Sequence, residues 1–248
     1  MSALSRRNAA YLHEMGVGPI WKQRGAANAP SAEAGKAAPE EQAAHRETPA
    51  VNLTDWSSLE SAVAKCTECG LCRGRTNAVP GAGDRRAAWL FVGEGPGYNE
   101  DLQGEPFVGR SGQLLDGMMR AMGLRRGENT FIGNIVKCRP TDESGKDRPP
   151  TPEEADACMH YLESQVALIE PEIIVALGKT AAVTLLGMDA KTTLSSLRGK
   201  VHYFVRGNLR IPLIATYHPA YLLREPLSKR KAWADLCLAL RTQQAEAE

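Results

Sequence analysis

The sequence predicts one α/β domain built on a central, mostly parallel sheet flanked by helices, with a flexible extension in front of it. Short apolar runs of strand length recur from Ala88 to Ala215. Segments with apolar residues at helical spacing separate them. Several of these segments carry a cap or a terminating glycine. Strands that alternate with helices form a sheet covered on both faces.

Ala88–Gly93 (AWLFVG) is an apolar run that stops at glycine, the mark of a buried strand. Ser111–Gly123 has helical spacing and also ends at glycine. Thr130–Val136 is a second strand. Thr151 suits an N-cap, with Pro152 at the first helical position and Glu153 and Glu154 in the first turn; that helix runs to about Ile169. Ile173–Leu177 is a third strand, and Lys179–Leu186 a helix closed by Gly187. Val201–Val205 and Ile211–Ala215 are two further strands, and Leu227–Arg241 is a closing amphipathic helix. Ligands of such sheets bind beyond the carboxyl ends of the strands. That rule brings Gly93–Asp101, Asn134–Cys138 and Thr216–Ala220 to one rim.

The domain is expected over residues 51–248. Residues 25–50 are rich in Ala, Pro and Glu, and Thr48 is their one β-branched residue. They cannot build a core, so they form a disordered linker. Residues 1–24 form a short patterned segment in front of it. No apolar run approaches the roughly 20 residues of a membrane helix. The N-terminus has no apolar h-region or cleavage site of a secretory signal. The expected location is the cytoplasm.

Net charge is +1, which by itself points to no partner. Its distribution is uneven. Lys191 to Lys231 holds nine Lys or Arg and one acid, Glu225. Such a tract suits a phosphate backbone, and equally a solvated surface.

The first rim segment, Gly93-Glu94-Gly95-Pro96-Gly97-Tyr98-Asn99-Glu100-Asp101, makes a tight turn whose amides can face a ligand; a plain strand connection has the same composition. In Gly104-Glu105-Pro106-Phe107-Val108-Gly109 a Phe is held between Pro and Gly before a helix. It can offer a flat face to a base, or it can fill the core. Asn134, in Asn134-Ile135-Val136-Lys137-Cys138-Arg139-Pro140, carries a donor beside an acceptor, which suits a nucleobase edge as well as a turn. His218, in Tyr217-His218-Pro219-Ala220, can donate to an oxygen that gains charge, or can be structural.

In this order and combination the segments resemble family 4 uracil-DNA glycosylases. That family carries a GE-x-PG-x-x-ED loop, a G-x-PFVG segment, an N-x-VKCRP strand end and a late HP-[SA] loop. The resemblance spans about residues 58–240. It implies that the enzyme flips uracil out of DNA and hydrolyses its N-glycosidic bond, leaving an abasic site for base excision repair. Phe107 would stack on the base and Asn134 would bond its edge. Amides around Gly95 and Gly97 would hold its carbonyls. Glu100 would crowd the C5 side against thymine. His218 would stabilise the leaving uracil. The third motif position, where classical uracil glycosylases place a water-activating Asp, is Gly95 here. Glu94 is then the candidate to position water. No KRRIH-like basic loop of the DNA-crosslinking variant is present, so turnover is expected. The alternative is a non-catalytic or redox-sensing iron–sulfur DNA-binding protein of the same fold. A glycosylase of wider base choice, acting on hypoxanthine or mismatched thymine, is a further rival.

Six cysteines occur, and with no export signal a disulfide framework is not expected. Cys66 and Cys69 form a C-x2-C pair; Cys138 and Cys158 lie far downstream. Four thiolates suit zinc or a [4Fe–4S] cluster, and spacing does not choose. The resemblance implies a structural [4Fe–4S] cluster on Cys66, Cys69, Cys138 and Cys158, with Cys72 and Cys237 outside it. Separately, Arg6 to Arg24 is similar to the peptide by which the psi subunit of the bacterial clamp loader binds its chi partner. That similarity implies a recruitment segment, with a helix packed back on the domain as its alternative.

Overall fold

A computed structural model describes residues 55–246. The expected N-terminal peptide (1–24) and linker (25–50) lie outside the described residues.

The chain opens with helix α1 (Trp56–Lys65) and a 3-10 turn at Gly70–Arg73. Strands β1 (Ala82–Gly83) and β2 (Trp89–Gly93) follow, then helices α2 (Tyr98–Gln103) and α3 (Arg110–Ala121). Next come β3 (Thr130–Asn134), α4 (Pro152–Ile169), β4 (Ile173–Leu177) and α5 (Lys179–Leu186). The chain continues through α6 (Leu194–Leu197), β5 (Val201–Arg206), β6 (Leu209–Thr216) and α7 (Pro219–Arg224). A 3-10 turn at Pro226–Ser228 leads into α8 (Lys229–Glu246).

The sheet order is β1-β3-β2-β4-β6-β5. The inner strands β3, β2, β4 and β6 run parallel, while β1 and β5 pair antiparallel at the edges. The expected mostly parallel sheet is therefore present, with a hairpin at one edge. Every residue of β2, β3 and β4 is buried. That is why β2 and β4 are continuous apolar runs rather than alternating ones, while β3 sets Phe131 and Ile132 between a buried Thr130 and a buried Asn134. On one face Leu90, Val92, Ile174 and Ala176 pack with Leu162 and Val166 of α4 and with Ala181 and Leu185 of α5. On the other, Phe91, Val175 and Leu177 pack with Leu115 and Met119 of α3 and with Trp233 and Leu236 of α8. Each large apolar side chain taken fully out of water there contributes roughly 1.5–3 kcal/mol.

Helix α4 begins as its sequence requires. Thr151 accepts the Glu154 amide, and the Glu154 carboxylate accepts the Thr151 amide, a complete capping box. Glu170 closes the helix in the left-handed region. Helix α3 stops at Met122, and Gly123 takes a φ of +82°.

The boundaries differ in places. Strand β3 ends at Asn134, two residues before the expected Val136. The ladder nonetheless continues, since the Ile135 and Val136 amides donate to the carbonyls of Gly93 and Glu94. Helices α1, α2, α6 and α7 and strand β1 have no counterpart in the sequence reading. Each of α2, α6 and α7 is six residues or fewer, too short for a periodic pattern to show.

Candidate active site

The carboxyl ends of the parallel strands meet as the sheet rule requires. Gly93 lies beside Asn134, and Leu177 beside Thr216. A cleft opens there, lined by Glu94 to Glu100, Phe107, Gly178, Thr180, His218 and Tyr221 among others. All three expected rim segments contribute to this end of the sheet.

Phe107 is held in an uncommon conformation, with φ of +54°. Arg126 maintains it: its guanidinium donates to the Pro106 and Phe107 carbonyls at 3.0 and 2.9 Å and pairs with Asp116 at 2.9 Å. Helix α3 starts directly against this turn. A Cβ on Gly112 would lie 1.7 Å from the Phe107 carbonyl oxygen, so only glycine fits. The Phe107 ring tilts against the His218 ring, centroids 5.5 Å apart. It is 6 % exposed, so it serves the core and the cleft wall together.

Gly93 is glycine for a related reason. A Cβ there would sit 2.4 Å from Asn134 Oδ1 and 2.6 Å from Phe107 Cζ. The amide and the ring therefore converge over a bare backbone. Asn134 is 1 % exposed, and among the described residues its Oδ1 has no hydrogen-bond partner. An orphaned buried acceptor is costly unless a ligand supplies a donor. Beneath it, the fully buried Lys137 donates from Nζ to the Asn134 carbonyl at 2.8 Å and to Gln165 at 2.7 Å. Burial lowers the Lys137 ammonium to a pKa of about 8.

His218 caps α7. Its Nδ1 accepts the Ala220 amide at 3.2 Å. A backbone amide can only donate, so Nδ1 carries no proton and the neutral ring bears its proton on Nε2. Burial, reinforced by the Arg224 charge, lowers its pKa to about 4. His218 is thus a neutral donor at ordinary pH.

Glu100 is buried, and its Oε1 accepts the Val108 and Gly109 amides at 2.9 and 3.0 Å. It caps α3, which lacks a side-chain cap of its own, and it fixes the turn that presents Phe107. The spacing of the motifs gives no sign of this role, since capping residues normally adjoin their helix. Glu94 accepts a hydrogen bond from the Thr180 hydroxyl at the start of α5. Asp101, which the sequence left without a role, accepts the Thr76 amide at 2.8 Å and ties the cysteine-bearing segment to α2.

A second, small cavity lies across the sheet from Phe107. Cys66, Cys69, Cys72, Cys138 and Cys158 line it together with Val63, Leu71 and Tyr161. The four expected ligands are thus gathered, and Cys72 joins them; Cys237 does not. Among the described residues, no three His, Cys, Asp or Glu converge tightly enough for one metal ion. Cys138 Sγ accepts from Arg75 at 3.1 Å, and Cys158 Sγ from the Lys137 amide at 3.3 Å. Burial pushes the Cys158 thiol up to about 12.

Within the basic tract, Arg198 pairs with Asp235, Arg206 with Glu163, and Arg210 stacks on Tyr203; Arg224 lines the cleft, as does Lys179 from outside the tract.

Residues 80–237 match the family model described as uracil DNA glycosylase superfamily. The type-4 uracil-DNA glycosylase of Archaeoglobus fulgidus is 43% identical over 175 residues, 70% of this chain and 85% of that protein. The Thermotoga maritima type-4 enzyme is 46% identical over 65% of this chain and 80% of its own length. The chain belongs to the type-4 uracil-DNA glycosylases. The type-5 uracil-DNA glycosylase of Thermus thermophilus is more distant, 31% identical over 56% of this chain and 68% of its own. Among the described residues no helix is long and apolar enough to cross a membrane.

Proposed function

We propose that this type-4 chain excises uracil from DNA by hydrolysis of the N-glycosidic bond. The observation that carries the reading is the buried, unpartnered Asn134 Oδ1 beside the Phe107 ring. Uracil presents an N–H between two carbonyls, and that N–H is the donor Oδ1 lacks. The flipped base stacks on Phe107. As the bond from N1 to the sugar breaks, its electron pair passes to the uracil ring and charge grows on the ring oxygens. His218 Nε2–H meets that charge without giving up a proton. Water then adds to the oxocarbenium-like sugar, its proton passing to bulk solvent.

Glu94 positions that water, oriented by Thr180; the support is its place in the cleft wall and its hydroxyl partner. The backbone around Gly95 and Gly97 holds the base carbonyls. Glu100 shapes the C5 side of the pocket, and with it the exclusion of thymine, by fixing the Phe107 turn. Phe107, Glu94 and His218 in one cleft, with Asn134 Oδ1 beside the Phe107 ring, favour catalysis over a purely binding role. The test is treatment of a single-uracil oligonucleotide, with alkali revealing abasic sites. Cleavage at uracil, with the thymine control intact, is the expected result.

The cysteine cavity would hold a [4Fe–4S] cluster through Cys66, Cys69, Cys138 and Cys158. Its donor set fits: thiols that surround a void suit a polynuclear cluster. Four sulfurs on a single zinc would stand within about 3.8 Å of one another, as Zn–S bonds near 2.3 Å dictate. The N–H donors Arg75 and the Lys137 amide offset part of the burial that raises the Cys138 and Cys158 thiols. Held there, the cluster would cross-link the 66–72 segment to the chain just after β3, through Cys138, and to α4, through Cys158.

Residues 6–24 are proposed to recruit the chain to the chi subunit, through a linker at 25–50 that precedes the domain. A peptide of residues 6–24 is expected to bind chi in a pull-down. DNA repair of this kind agrees with a cytoplasmic location.

A further inference from the structure

Two tyrosines on the cleft wall share an arrangement that base excision itself does not require. Tyr98, at the start of α2, is 57 % exposed, and the Arg139 guanidinium lies against its ring, 5.1 Å from the centroid. Arg139 is itself held at 2.6 Å by Asp147 and by the Gly145 carbonyl. Tyr221, on α7, is 37 % exposed and stacks on Tyr217 with centroids 5.0 Å apart and planes 18° from parallel. Behind Tyr217 lies the Arg198 guanidinium, 4.2 Å from its centroid, held at 2.8 Å by the buried Asp235. Each ring therefore has one face fixed by a stack that ends in a carboxylate-anchored arginine. Both side chains line the cleft that holds Phe107 and His218.

We infer that Tyr98 and Tyr221 are stacking platforms for the bases that flank the excised nucleotide. The inference rests on the DNA-glycosylase reading and extends it from the flipped base to its neighbours. A preorganised tyrosine loses little freedom when a ring stacks on it, since its two torsions are already set. A base in a duplex already has stacking partners, whereas a base in a single strand is free to accept these rings. The platforms thus favour single-stranded DNA, or a strand locally opened by flipping. One tyrosine sits beside the Gly-rich loop and the other just past the histidine loop, so the strand would cross the pocket from one to the other.

The test uses single-stranded oligonucleotides with one uracil, in which the base on its 5′ or its 3′ side is replaced by an abasic spacer. Wild type, Tyr98→Ala, Tyr98→Phe and Tyr221→Ala are compared. Removal of one flanking base is expected to raise KM about tenfold for wild type with little change in kcat. Tyr98→Ala should lose sensitivity to one side, Tyr221→Ala to the other, and Tyr98→Phe should behave as wild type. Equal sensitivity of wild type and both alanine variants to base removal would overturn the proposal, as would indifference of wild type. Anisotropy titration of the same oligonucleotides reads the platforms independently of chemistry. A wild type that binds with this pattern but releases no uracil would overturn the excision reading and leave the platforms standing.

Discussion

Replacement of His218 by Ala is expected to lower the single-turnover rate of uracil release by about 10²- to 10³-fold, the usual cost of one preorganised donor to a developing oxyanion. DNA binding should change little, because the interaction strengthens only as charge develops. The pH dependence distinguishes a neutral donor from an imidazolium. The Ala220 amide occupies Nδ1, and burial with the Arg224 charge lowers the pKa to about 4. The rate should therefore show no acidic limb near 6.5, where an ordinary histidine titrates. The sign for stability follows from the same shift. Between about 6.5 and about 4 the unfolded chain binds a proton that the folded chain refuses. His218 thus contributes stability that is fully present above about 6.5 and is lost as pH falls toward 4. Thermal melts of wild type and His218→Ala across that range should converge at acid pH. A rate limb at 6.5 that vanishes in the variant would refute the neutral-donor role.

Replacement of Cys138 by Ser is expected to abolish the iron content and brown colour of the purified protein and to lower its stability by more than about 4 kcal/mol. Cys138, in the segment just after β3, and Cys158, on α4, are two of the four proposed ligands, and both are buried. A neutral hydroxyl at either position leaves an unfilled void between the 66–72 segment and the core. Cys72→Ala is the informative companion. Cys72 lines the same cavity as the four assigned ligands, so place alone does not separate it from them. Full iron content in Cys72→Ala, with loss in Cys66→Ala and Cys69→Ala, would fix the assignment. Loss of iron in Cys72→Ala with retention in Cys69→Ala would move the ligand from Cys69 to Cys72.

Much of the architecture is written locally. Buried parallel strands are rich in apolar residues, which made β2 and β4, and Phe131 and Ile132 of β3, plain in the sequence. The Thr151 cap and Pro152 announced α4 because capping depends on residues three apart. The sheet order, and the antiparallel turn-back of β5 on β6, depend on contacts between distant segments. No periodicity records them. The rim was legible for a general reason: parallel strands joined by crossovers end on one side, so the loops after them meet.

The site divides in the same way. The candidates for chemistry (Glu94, Phe107, Asn134 and His218) were legible in the sequence, since a donor, an acceptor or a flat ring is a property of the residue. Their states were decided only by tertiary structure. His218 is neutral because an amide two residues on takes Nδ1 and because protein surrounds it. Asn134 has an unmet acceptor because Gly93 and Phe107 close over it. Glu100 caps a helix nine residues downstream of it through a loop that folds back. Asp101 joins the cysteine segment to the base pocket across some 25 residues of chain. Desolvation, cap geometry and orphaned acceptors are properties of surroundings, and the surroundings exist only once the chain has folded.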